Sequence, residues 1–78
     1  MKMPNFKNLE EVADYLKSIG YKDVTVYRRS LIVKKNFSEA TVCKVHSKWN
    51  VDVELDQSGY DFYAENLQEV VTIIIQKI

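Results

Sequence analysis

Cysteine and histidine each occur once in the 78 residues, as Cys43 and His46. A single thiol cannot close an internal disulfide, and a single imidazole cannot anchor a multi-histidine metal centre. Proline occurs once and glycine twice. Neither a Gly-rich phosphate cradle nor a Pro-rich linker is therefore available. Net charge is also missing, since 11 basic side chains balance 11 acidic ones, which removes any global pull toward nucleic acid or anionic lipid. No fully apolar run exceeds three residues, against about 20 for a membrane-spanning helix. The opening stretch Met1-Lys2-Met3-Pro4-Asn5-Phe6 lacks the apolar segment of a signal peptide. The expectation is a cytoplasmic chain without membrane contact.

What is present is a hydrophobic fraction of 46%, ordinary for a globular domain and too high for disorder. One α+β domain over residues 1–78 is predicted. Its core must be thin, because a chain this short buries only about 60–65% of its unfolded surface. Tight packing or a partner chain must supply the stability that disulfides and metals do not.

A first helix is predicted over 8–19. Asn8 is a good N-cap, Glu11 completes a capping box, and Leu9, Val12, Ala13, Leu16 and Ile19 share one face. Gly20 suits the C′ position. Residues 23–35 read as a hairpin turning at Arg28-Arg29, which sets Val26 against Leu31, Val24 against Val33 and Asp23 against Lys34. After a turn over 36–39, residues 40–46 form a strand apolar on both faces, with Val42 on one and Cys43 and Val45 on the other. That suits a central strand of open register. Trp49, Val51, Val53 and Leu55 alternate inward over 49–55. After a turn over 56–59, a fifth strand at 60–63 would place Tyr60 beside Leu55 and Phe62 beside Val53. Residues 66–78 carry a second Asn–Glu capping signal at Asn66 and Glu69, followed by a β-branched run that favours a strand by propensity. The length and the gathering of Gln68, Glu69, Thr72 and Gln76 on one side favour a helix. The predicted order is a helix, an antiparallel meander of four or five strands, and a helix, with both helices on one sheet face.

The last helix carries surplus apolar surface. Val70, Ile73, Ile74, Ile75 and Ile78, with Leu67 and Val71, span about 200° of arc, where a two-layer domain buries a stripe of roughly 100–140°. The surplus must meet the first helix, a second copy or a partner. Val70, Ile73, Ile74, Ile75 and Ile78 are the candidate interface for a protein partner or a homodimer, and Trp49 is a candidate surface anchor, although a tryptophan there also suits capping the open end of the core.

Charge is uneven along the chain. Residues 22–48 sum to +5 and residues 49–69 to −6. Basic and acidic strands lying side by side would pair on a solvated face. Arg28, Arg29, Lys34, Lys35 and Lys44, with Tyr27 between, are the candidate basic patch for nucleic acid. The helix–strands–helix order resembles the double-stranded-RNA-binding domain. That family's lysine-rich start of the last helix reads here Tyr63-Ala64-Glu65-Asn66-Leu67-Gln68-Glu69, which is acidic, so no site residue is carried over.

Catalytic and metal-binding arrangements are not expected. Cys43 and His46, three apart in a strand, point to opposite faces, Cys43 into the core and His46 to the surface at the strand end. Ser30, Ser38, Ser47 and Ser58 lack a nucleophile-elbow setting, and Asp52 and Glu54 lack an apolar pocket. The reading is a non-catalytic protein-interaction module of adaptor or inhibitor type, with no cofactor. Nucleic-acid binding through the basic strand face is the alternative.

Overall fold

The computed structural model describes residues 3–78; Met1 and Lys2 of the polar opening stretch lie outside them. Within these residues the elements are α1 (Leu9–Ser18), β1 (Asp23–Val26), β2 (Ser30–Lys35), β3 (Ser38–Val45), β4 (Lys48–Leu55), β5 (Ser58–Ala64) and α2 (Leu67–Lys77). The strands form one antiparallel sheet in the order β1-β2-β3-β4-β5.

Both helices begin with the same device. The Asn8 side chain accepts a hydrogen bond from the Glu11 amide at 2.9 Å, and the Asn66 side chain accepts from the Glu69 amide at 2.9 Å. The glutamates reach one residue further back than a standard capping box. Glu11 accepts from the Lys7 amide at 3.0 Å and Glu69 from the Glu65 amide at 2.7 Å. Each pair satisfies donors that a helix start leaves unpaired. This local signal, together with burial, overrides the strand propensity of the β-branched run, and Val70-Val71-Thr72-Ile73-Ile74-Ile75 is helical.

α1 ends in a Schellman arrangement, in which the Tyr21 amide donates to the Leu16 carbonyl at 3.0 Å and the Gly20 amide to that of Lys17 at 3.2 Å. Gly20 sits at φ +116, and a Cβ there would meet nothing within 4 Å. Any cost of a side chain is then a backbone cost alone. Gly20→Ala is expected to destabilise by about 1–2 kcal/mol, readable as a lower urea midpoint with an unchanged slope.

The β1–β2 register is as the sequence predicts: Asp23 opposes Lys34, Val24 opposes Val33 and Val26 opposes Leu31. Two of the other three hairpins are tighter than predicted, and the β3–β4 hairpin keeps its predicted two-residue loop but moved back by one residue, from 47–48 to 46–47. Lys35 pairs with Ser38, Val45 with Lys48 and Leu55 with Ser58, leaving two-residue loops that open on Asn36, His46 and Asp56. These three have φ of 56, 58 and 58. Asn, His and Asp are the non-glycine residues that best tolerate positive φ, so they make tight loops without glycine. The shorter last loop moves the β4–β5 register by two residues. Tyr60 faces Val53 and Phe62 faces Val51, not Leu55 and Val53 as expected. A shift of two keeps every side chain on its face.

α1 packs over β1 and β2, α2 packs over β4 and β5, and the helices touch each other. Both cover the same side of the sheet, α1 over one half and α2 over the other. The core lies between, built from Val12, Leu16, Leu31, Val33, Ala40, Val42, Val51, Val53, Val70, Val71 and Ile74, all fully buried. The Gln68 amide nitrogen fastens the N-terminal segment to α2 by donating to the Met3 and Pro4 carbonyls and to Asn5 Oδ1 at 3.3, 3.1 and 2.9 Å.

Candidate functional site

Strand alternation fixes what the uncovered sheet face carries. Inward positions on β3 are taken by Ala40 and Val42, so Glu39, Thr41, Cys43 and Val45 point outward. Across the sheet, one outward row is Asp23, Lys34, Glu39, Glu54 and Gly59, and the next is Thr25, Ile32, Thr41, Asp52 and Asp61. Cys43, expected in the core, is half-buried on this outer face, opposite Ser30 and Asn50. His46 occupies its turn position at the strand end, exposed.

The predicted pairing of the basic stretch with the acidic one is limited, among the described residues, to Lys48 with Glu65 at 3.3 Å; the other ion pair, Lys34 with Glu39 at 3.9 Å on β2–β3, lies within the basic stretch. Further across, carboxylates oppose carboxylates: Glu39 faces Glu54, and Asp52 faces Asp61. Asp52, Glu54 and Asp61 form no ion pair among the described residues. The Asn50 amide donates to Asp61 at 3.5 Å and to the Phe62 carbonyl at 3.4 Å. Directly opposed like charges destabilise a sheet, and β3 to β5 carry two such pairs side by side. Among the described residues no group of three or more His, Cys, Asp or Glu side chains is placed to hold a metal ion.

The predicted basic patch is split between the two ends of the sheet. Arg28, Arg29 and Lys44 gather at one end with Lys7, which the sequence did not single out, and with Tyr27 and Trp49 around a groove of about 750 Å³. Lys34 and Lys35 lie at the other end beside Lys22, roughly 17 Å along β2 at about 3.3 Å per residue. There the Lys35 ammonium sits 5.2 Å from the centre of the Tyr21 ring, and burial raises the Tyr21 phenol above its ordinary value. Trp49 is half-buried against the core, with the Lys44 ammonium 5.4 Å from its ring centre. It both closes the core at this end and lines the groove.

The candidate interface on α2 is mostly consumed by the fold. Val70 and Ile74 have no exposed surface, because the sheet and α1 receive them. They cannot meet another molecule while the domain is folded. Ile73 and Ile78 pack partly against the core, and Ile75 alone points outward, 42% exposed. The surplus arc of α2 is thus met largely within the domain. Phe37, in the loop between β2 and β3, is the most exposed large apolar side chain among the described residues at 92%.

No helix of the described residues is long and apolar enough to cross a membrane. Compared with family models, curated proteins and solved structures, the chain finds no match in any of the three.

Proposed function

We propose that the domain is a non-catalytic protein-interaction module, of adaptor or inhibitor type, that acts in the cytoplasm by docking a basic protein surface onto the uncovered face of its sheet. The observation that carries this reading is the opposition of Glu39 to Glu54 and of Asp52 to Asp61 on that face. In the free domain these pairs are a cost that one lysine offsets in part, Lys34 at 3.9 Å from Glu39, while Asp52, Glu54 and Asp61 have no ion-pair partner among the described residues. A partner's arginines and lysines set between them turn the repulsion into attraction. Half-buried Ile32, Thr41 and Cys43, with exposed Tyr63, supply apolar contact beside the charge, in the manner of an interface whose centre is less polar than its rim. The face is open, so it suits a broad macromolecular contact better than a small substrate.

The part of α2 still free, Ile73, Ile75 and Ile78, is small beside the roughly 800 Å² per partner that a stable interface buries. Recognition is therefore assigned to the sheet.

Glu54→Lys separates the two roles of the face. It replaces a repulsive cross-strand pair by an attractive one, and the free domain is expected to gain about 0.5 kcal/mol, or about 2–4 °C in melting temperature. Affinity capture from the native host with wild type and with a Glu54→Lys/Asp61→Lys variant tests the docking. The expected result is a basic protein held by the wild type and absent from the variant. A partner retained equally by both chains removes the sheet face from the proposal.

A further inference from the structure

We infer that the groove between the start of α1 and the β1–β2 turn is a binding site for single-stranded nucleic acid, separate from the sheet face and independent of its partner. Four cations converge there, Lys7, Arg28, Arg29 and Lys44, against one lining carboxylate, Glu10. None of the four forms an ion pair among the described residues. This contrasts with Lys34 and Lys48, which do. Four unpaired cations around one groove repel each other, and a polyanion relieves that repulsion.

The backbone adds to the field. α1 and α2 both start at this end of the sheet, since Asn8 lines the groove and Ala64, just before α2, pairs with Trp49. The positive ends of both helix dipoles therefore lie at the cationic end. The Leu9 and Glu10 amides, both in the groove wall, have no acceptor among the described residues. Such first-turn amides are suited to phosphate oxygens.

Aromatic side chains select among polyanions. Tyr27 is 53% exposed, and Trp49 lines the same groove with only a lysine over its ring. An unpaired base can stack on Tyr27, or on Trp49 in place of the Lys44 stem, while the arginines hold flanking phosphates. An acidic peptide has no flat group for these rings, and a duplex keeps its bases stacked on each other. The guanidinium pair at 28–29 also suits bidentate phosphate contact.

The test uses fluorescein-labelled rU12 and dT12 with the full chain, read by anisotropy between 20 and 200 mM salt, with the fluorescence of Trp49, the sole tryptophan, as a second signal. Up to four phosphate contacts predict a log–log salt slope of no more than about −2.8. Arg28→Ala/Arg29→Ala is expected to weaken binding roughly tenfold or more and to make the slope shallower by about 1.4. Tyr27→Ala, at an exposed position that leaves folding intact, is expected to weaken it several-fold without changing the slope. Lys22→Ala/Lys34→Ala/Lys35→Ala, at the far end, is expected to leave binding unchanged. Circular dichroism confirms that each variant is folded. Absence of binding at 20 mM salt overturns the inference, as does equal loss in the near-end and far-end variants. Competition by a glutamate-rich peptide as effective as unlabelled oligonucleotide also overturns it, because the site would then read charge alone.

Discussion

Ile74→Ala is expected to remove about 2–5 kcal/mol of stability, whereas Ile75→Ala, one residue along the same helix, is expected to change it by about 0.5 kcal/mol or less. Ile74 has no exposed surface and belongs to the single core cluster, while Ile75 is 42% exposed. Truncating Ile74 leaves a void between α2 and the sheet that neighbours already packed on all sides cannot refill. A domain of 78 residues has a total stability of about 4–12 kcal/mol, so the loss is a large share of the whole. Urea unfolding followed by Trp49 fluorescence reads both variants. Equal costs, or a larger cost for Ile75→Ala, would mean that α2 presents a different stripe to the sheet.

Val42→Lys is expected to abolish cooperative folding at 25 °C, and Thr41→Lys is expected to leave the domain folded. Val42 lies at the centre of the core face between Leu31 and Val51, all three without exposed surface. An ammonium there has neither water nor a carboxylate, and a buried unpaired charge costs several kcal/mol. Thr41 lies on the opposite face between Ile32 and Asp52. A lysine at 41 reaches water and gains a carboxylate across the strand. Amide-proton dispersion in a two-dimensional NMR spectrum distinguishes the outcomes. A well-dispersed spectrum for Val42→Lys would show that β3 presents the other face to the helices. Because Thr41→Lys also places a cation among Glu39, Asp52 and Asp61, it provides a folded chain with the acidic face disabled.

The features the sequence made legible are those set by neighbouring residues. Asn8 with Glu11 and Asn66 with Glu69 mark both helix starts. The double match of Val24 with Val33 and Asp23 with Lys34 fixes the first hairpin. Loop lengths were harder to read. At 36–39 and 56–59 a four-residue turn and a two-residue turn keep the same faces, and only the positive φ of Asn36 and Asp56 decides between them. The apparent two-sided apolarity of β3 arose because Cys43 and Val45 lie on the face that the helices do not cover.

The charged surfaces depend on placement across the chain, and composition alone could not resolve them. Arg28 and Lys34 are near in sequence, yet an extended strand carries them to opposite ends of the sheet. Lys7 joins Arg28 because of where α1 enters its layer, which no local motif records. The acidic face follows from the register of β4 on both neighbours. Had β4 slipped by two residues on β3, Glu54 would no longer oppose Glu39.

The order of the sheet bears on how quickly the domain assembles. Every strand pairs with the one beside it in the chain, and three of the four reversals use two-residue loops. Each pairing therefore closes a short stretch of backbone, with little loop-closure entropy to overcome. Short separation between paired strands favours fast folding. The distant closures are the meeting of α1 with α2 and the fastening of Met3–Asn5 by Gln68, and these carry the largest loop-closure entropy in the fold.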